Sequence, residues 1–310
     1  MKNIRLPVGG CSLALWVALM ISGCKSYEKQ RNELPDNRYK GTIHVSADES
    51  FKPVLDEQVK VYESYYPETV IQVDYKPEAE CLKDMFRDSV RMVIATRACS
   101  EDEKNFIADS FRIAPESMVI ARDAVAVIVN PASPDSLFTM DDIKAILRGK
   151  FKKKLIPVFD GVKATSTVRF VIDSVLRDNT LSPDAVAARS SEGVIDYVSK
   201  NPDAIGFIGV SWIGNHDDTA QLSFLKKVKV ASLEDRYEPG SFIKAYQENI
   251  YTKAYPMVRD LVYILRENYK GLGTAFADFM SEEIGQLIFK RAYLVPAQKK
   301  FIVRPVQLNE

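Results

Sequence analysis

Histidine is nearly absent from this 310-residue chain, which has only His44 and His216, far apart and with no cysteine at ligand spacing. That scarcity argues against a zinc-type metal site and removes the usual general base of a Ser-His-Asp or Cys-His arrangement. Charge excess is absent too: Lys+Arg and Asp+Glu both total 42. The chain as a whole therefore sets up no field to gather nucleic acid, and any recognition of charge must be local. No internal repeat is visible, and no low-complexity segment follows the first forty residues. Glycine-rich phosphate loops are missing as well. Gly271 and Gly273 in "GLGTAF" have neither a third glycine nor a preceding strand, and read as a turn before a helix. With no nucleophile and base legible, the chain reads as a binding protein rather than an enzyme, and it calls for no cofactor.

Long apolar runs are also lacking. The longest, Cys11 to Ile21, follows Lys2 and Arg5 and is too short to span a bilayer comfortably. It reads as the core of a signal peptide over residues 1–23. Ile21-Ser22-Gly23-Cys24 resembles a bacterial lipobox, in which Cys24 is lipidated and becomes the new N-terminus. Lipidation would hold the protein at the inner or outer membrane, facing the periplasm. Residues 24–40 are polar and aperiodic, as expected of a tether, and the folded body is expected from about Gly41. Of four cysteines, Cys81 and Cys99 then remain, either as a disulfide or as two thiols.

What is present is an alternation of strand and helix. "GTIHVSADESFKPVLDEQVKVYESYYP" reads as a strand, a tight turn and a helix with Phe51, Val54, Leu55 and Tyr62 inward. "TVIQVDYKP", "VRMVIATR" and "DAVAVIVNP" read as further strands, with a helix around Glu80 to Asp88. In "TMDDIKAILRGK", Thr139 and Asp142 form a capping box and Gly149 ends the helix. "SSEGVIDYVSK" is a serine-capped helix, "DAIGFIGV" a strand, and "YPMVRDLVYIL" a late strand. The pattern is α/β.

Three hydroxyls, Thr165, Ser166 and Thr167, stand where an amphipathic helix begins, since Val168, Val171, Ile172, Val175 and Leu176 share one face. Free N–H groups and the positive end of the helix dipole favour an anion there. One hydroxyl serving simply as N-cap is the plainer alternative.

Eight segments in one order, "GTIHVSADESFKPVL", "VIATR", "DAVAVIVNP", "IKAILRGK", "TSTVRF", "NPDAIGFIGVSWI", "YPMVRDLVYIL" and "SEEIGQLIFKRAYLVP", resemble the phosphate-binding component of bacterial phosphate ABC transporters. The resemblance implies a two-lobed type II periplasmic binding protein, each lobe a mainly parallel sheet flanked by helices, with hinge strands between lobes. Residues 41–126 and 257–310 would form the first lobe and residues 127–256 the second. It further implies capture of phosphate, or a related oxyanion, for delivery to an ABC permease.

The family's site residues map unevenly. Thr165-Ser166-Thr167 falls on its Ser-Gly-Thr turn, with Ser166 in place of glycine. Ala47-Asp48-Glu49-Ser50 replaces Gly-Ser-Ser-Thr, Arg91 stands where an aspartate is usual, and residues 159–164 lack the usual arginine. One expectation is that Arg91 supplies the positive charge while Asp48 or Glu49 accepts a proton from the ligand. The rival is that both carboxylates pair with Arg91 and leave no ligand site, making the chain a protein-interaction subunit of an envelope complex such as a TonB-type energy-transducing system. Thr96, Arg97 and Arg169 could support either arrangement, with Arg97 read as structural and Arg169 as solvent-facing.

Overall fold

The computed structural model describes residues 34–161, 165–178, 181–215 and 217–297. The expected signal peptide, Cys24, the expected tether up to residue 33 and His216 lie outside the described residues.

Strand β1 (Lys40–Asp48) alternates exposed and buried residues at its start and is wholly buried over its last four. It leads through a single 3₁₀ turn into helix α1 (Lys52–Tyr65), which buries Val54, Leu55 and Tyr62. Strand β2 (Glu68–Lys76), helix α2 (Glu78–Asp84), strand β3 (Val90–Ala95) and helix α3 (Glu101–Phe111) follow. Then comes the 14-residue strand β4 (Glu116–Val129). Past helix α4 (Met140–Leu147), strand β5 (Ile156–Phe159) enters helix α5 (Ser166–Phe170), whose backbone loosens to a π-helical turn over Val171–Leu176. Strand β6 (Val186–Ala187), helix α6 (Ser191–Lys200), strand β7 (Ala204–Gly209) and strand β8 (Val258–Leu265) complete the frame. Helices α7 (Leu272–Ser281) and α8 (Glu283–Arg291) close it.

These strands form one continuous sheet in the order β2-β1-β3-β8-β4-β7-β5-β6. Within each half the strands run parallel: β1 with β2 and β3, and β5 with β7 and β6. Strands β8 and β4 run antiparallel to each other and to their neighbours, and join the halves. The first part of β4 pairs with β8 and its last five residues pair with β7, so one strand of about 46 Å serves both halves. The strand starts at Glu116 rather than near Asp123 because Glu116, Ser117 and Arg122 hide its phase; Arg122 lies opposite Asp260 of β8, 3.5 Å away.

The capping box of α4 is formed as read, with Thr139 Oγ1 accepting from the Asp142 N–H, and Gly149 stops the helix at φ +68°. The folded body, by contrast, begins earlier than expected. Asp36 is buried and accepts from the Leu272 N–H at 2.7 Å, so the folded body begins before Gly41. Gly41 permits this approach: at φ +125°, a side-chain carbon there would lie 2.3 Å from Asp36 Cβ.

This frame brings the carboxyl ends of β1, β3, β5 and β7 to one crevice between the two halves. Open α/β sheets offer their ligand sites at such ends. Among the described residues, no helix is long and apolar enough to cross a membrane.

Candidate functional site

Six polar side chains meet in the crevice: Asp48, Ser50, Asp123, Asp160, Ser166 and Arg259, each at most 7% exposed. Asp48 ends β1 and caps the 3₁₀ turn, accepting from the Ser50 N–H at 3.0 Å. The Ser50 hydroxyl lies 3.4 Å from both Asp160 Oδ2 and Ser166 Oγ. Asp160 directly follows β5, and Ser166 opens α5 under the Thr165 cap, where Thr165 Oγ1 accepts from the Val168 N–H at 3.3 Å. The crevice thus collects residues from both halves.

Its cation comes from the hinge. Arg259 on β8 is directly opposite Asp123 on β4, and its Nε donates to Asp123 Oδ2 at 2.8 Å. Nη1 donates to Ser166 Oγ at 2.9 Å and reaches Thr167 Oγ1 at 3.4 Å. Burial opposes the Arg259 charge, yet Asp123 and Asp48 hold it in place. The guanidinium also rests 5.1 Å from the Phe51 ring centroid.

Three buried atoms in this cluster have no hydrogen-bond partner among the described residues: Asp48 Oδ2, Asp160 Oδ1 and Arg259 Nη2. Buried polar atoms are normally satisfied, so three together in one crevice call for an explanation. Burial, partly offset by Arg259 and reinforced by Glu78, pushes the Asp48 carboxyl up to about 7. Burial likewise raises Asp160 to about 6, against the pull of the Thr165 hydroxyl and with a further push from Glu49. Burial raises Asp123 as well.

Around this centre, the two halves are clasped. Glu49 accepts from the Ser191 N–H at 3.2 Å and from its hydroxyl at 2.9 Å, at the start of α6. Ser211 donates its hydroxyl to the Ser50 carbonyl at 2.9 Å. Arg169 of α5 donates from Nε to Glu78 Oε2 at 2.5 Å and from Nη2 to Thr96 Oγ1 at 2.6 Å, bridging to the first half. Arg169 and Glu78 border a cavity of about 460 Å³ lined also by Leu82, Phe86 and Val168.

The structure brings together Asp48, Ser50, Thr165, Ser166 and Thr167, and places Glu49 and Thr96 in the clasps. Arg169 is in a clasp rather than facing solvent. Arg97 pairs bidentately with Glu103 at 2.7 and 2.8 Å. Arg91 is the main correction. It begins β3, whereas the crevice lies at the far end of that strand, beyond Thr96, roughly 17 Å away at the strand rise. There it binds Asp36 at 2.7 Å and Glu267 at 2.9 Å, contacts the Tyr269 hydroxyl, and supplies no charge to the crevice. Cys81 and Cys99 are buried free thiols, not a disulfide: Cys81 lies within α2 with Sγ directed at the Lys76 carbonyl, while Cys99 follows β3.

Sequence reasoning missed Asp123, Asp160 and Arg259. A signal for Arg259 was present: at period-two spacing it shares a face of β8 with Leu261, Tyr263 and Leu265, which puts it on the inward phase. Asp160 lies within residues 159–164, where the resemblance implies an arginine, and no local pattern marks a carboxylate there as facing the crevice.

A family model described as a PBP superfamily domain matches residues 35–283. Among curated proteins, the chain is 21% identical to the phosphate-binding protein PstS of Pseudomonas aeruginosa, covering 96% of this chain and 95% of that one. It is 20% identical to PstS of Borreliella burgdorferi, covering 79% of this chain and 86% of the relative. Among solved structures, it is similar to a Clostridium perfringens protein assigned as a phosphate ABC transporter substrate-binding protein and solved with bound phosphate. The TM-score is 0.68 at 20% identity, over 83% of this chain and all of that one. The likeness of fold read from the order of segments therefore holds in both sequence and structure.

Proposed function

The chain belongs to the PBP superfamily domain family, and we propose that it is a periplasmic substrate-binding protein that captures phosphate or a closely related oxyanion in the crevice between its two half-sheets. On this reading Cys24 carries the lipid that tethers it, and the loaded protein presents its cargo to an ABC permease. The observation that carries the proposal is the set of three unpartnered buried atoms, one guanidinium N–H and two carboxylate oxygens, beside the Ser50, Ser166 and Thr167 hydroxyls. A guanidinium and hydroxyls hold anionic oxygens. Carboxylates reject a fully deprotonated sulfate but accept a proton from a phosphate. The set suits an oxyacid that keeps protons near neutral pH.

The roles are divided accordingly. Arg259, oriented by Asp123, supplies the positive charge that Arg91 was expected to give. Ser50, Ser166 and Thr167 supply hydroxyls, Asp48 and Asp160 accept, and Thr165 caps the turn. Glu49 and Thr96 act in closing the crevice. The rival reading, an interaction subunit of an envelope complex, called for Asp48 and Glu49 to pair with Arg91, and Arg91 binds Asp36 and Glu267 instead.

Calorimetric titration of the protein with phosphate, with sulfate as control, tests the proposal. Saturable heat with phosphate and none with sulfate is the expected result. No binding at millimolar phosphate would refute it, because weaker affinity is too low to be called specific capture.

A further inference from the structure

On the reading that the crevice takes an oxyanion, we infer that it selects the doubly protonated monoanion: a tetrahedral oxyacid such as dihydrogen phosphate or its arsenic analogue, donating one O–H to Asp48 Oδ2 and a second to Asp160 Oδ1, with an anionic oxygen on Arg259 Nη2.

The argument is a count of unmet donors and acceptors. Two buried oxygens need a donor and one buried nitrogen needs an acceptor. Both carboxylates lean on Ser50, Asp48 through its N–H at 3.0 Å and Asp160 through its hydroxyl at 3.4 Å, so they flank the same turn. Ser166 links that turn to Arg259 at 2.9 Å. A dianion with a single O–H would satisfy one carboxylate and set the other against an anionic oxygen in a buried site. Leaving a buried acceptor unmet is costly, and more so for a charged group. Sulfate offers no O–H and would face both carboxylates.

The surrounding charges act in the same direction. Asp48 is faced by Arg259, Glu78 and Asp160, while Asp160 is faced by Glu49 and Arg259. Of the cations, Arg259 is engaged by Asp123 and Arg169 by Glu78, and Lys52 reaches Glu49 from the exposed start of α1. Among the described residues that face these two carboxyls, no cation remains to balance a second negative charge on the ligand. Burial disfavours an ionised carboxyl at both positions, so each is stabilised by receiving an O–H from the ligand and penalised by facing an anionic oxygen.

The test is isothermal calorimetry of the full chain with inorganic phosphate at pH 8 and pH 9, in buffers of differing ionisation enthalpy. Free phosphate is then mainly the dianion, so binding should draw close to one proton from the buffer per phosphate. Affinity should fall about tenfold from pH 8 to pH 9. Asp160→Asn, which exchanges an acceptor for a possible donor, should abolish the proton uptake and flatten the pH dependence; Asp48→Asn provides the same check should the first variant not fold. Wild-type binding with no proton uptake and equal affinity at both pH values would overturn the inference while leaving phosphate capture standing. Absence of phosphate binding at pH 6, 8 and 9 alike would overturn both.

Discussion

Replacing Glu78 by glutamine should loosen the closed arrangement of the two halves without unfolding either. Glu78 accepts from Arg169 Nε at 2.5 Å and Nη2 at 3.3 Å across the crevice, and from Thr96 N at 2.8 Å and Oγ1 at 2.6 Å within its own half. Burial works against its charge, but the Arg169 and Thr96 bonds prevail and hold its carboxyl below the usual range. Glutamine keeps one carbonyl oxygen for Thr96 while turning an NH₂ toward the guanidinium, so the loss falls on the bonds that cross. Hydrogen bonds to charged groups contribute about 1.5–3 kcal/mol. The Arg169 side chain is 34% exposed, so water recovers part of that. The lower end, about 1.5 kcal/mol, is the reasonable figure, and it corresponds to roughly tenfold in the ratio of closed to open molecules. Small-angle X-ray scattering of the ligand-free variant should show a larger radius of gyration than wild type, returning to the wild-type value with saturating phosphate. The apparent affinity should weaken in proportion to the lost closed fraction, by at most about tenfold. Identical ligand-free scattering and identical affinity in the variant would refute the assignment of this pair as a clasp.

Arg259→Met should abolish phosphate binding and destabilise the fold by about 3–5 kcal/mol, since it leaves Asp123 buried and unpaired. The double variant Arg259→Met, Asp123→Leu should recover most of the stability in urea unfolding but none of the binding, and recovered binding would count against Arg259 as the anion's cation. The melting temperature of the ligand-free protein should be higher at pH 5.5 than at pH 8. The sign follows from Asp48 and Asp160, raised to about 7 and about 6: between roughly pH 4 and those values the folded chain keeps protons that the unfolded chain has lost, so stability falls as pH rises through that window. A melting temperature that is flat or rises toward pH 8 would show that these carboxyls are not buried as described. Cys81 and Cys99 should both be alkylated after denaturation without reductant, as peptide mapping would show; a linked Cys81–Cys99 peptide would contradict the free thiols.

Much of the frame was legible because it rests on local rules. The Thr139/Asp142 capping box, the Ser190 cap of α6 and the inward face of α1 depend on residues three or four apart. The hydroxyl turn at Thr165 to Thr167 was legible for the same reason, since a cap and the first inward residue of a helix are neighbours in the chain. Arg91 shows where such reading failed. A charged residue at the start of a strand can serve either end of the molecule, and only the parallel register of β3 beside β1 sends Thr96 to the crevice and Arg91 away from it.

Composition, alternation and caps alone therefore decided the α/β class, the position of most elements and the segment that would offer hydroxyls to an anion. Tertiary structure decided which charges meet those hydroxyls. Asp123 and Arg259 are 136 residues apart and become partners only because β4 and β8 pair antiparallel across the hinge. Asp48 and Asp160 acquire their raised carboxyls only once both half-sheets close over them and exclude water. Desolvation and long-range pairing arise between segments distant in the chain, and no local pattern of residues records them.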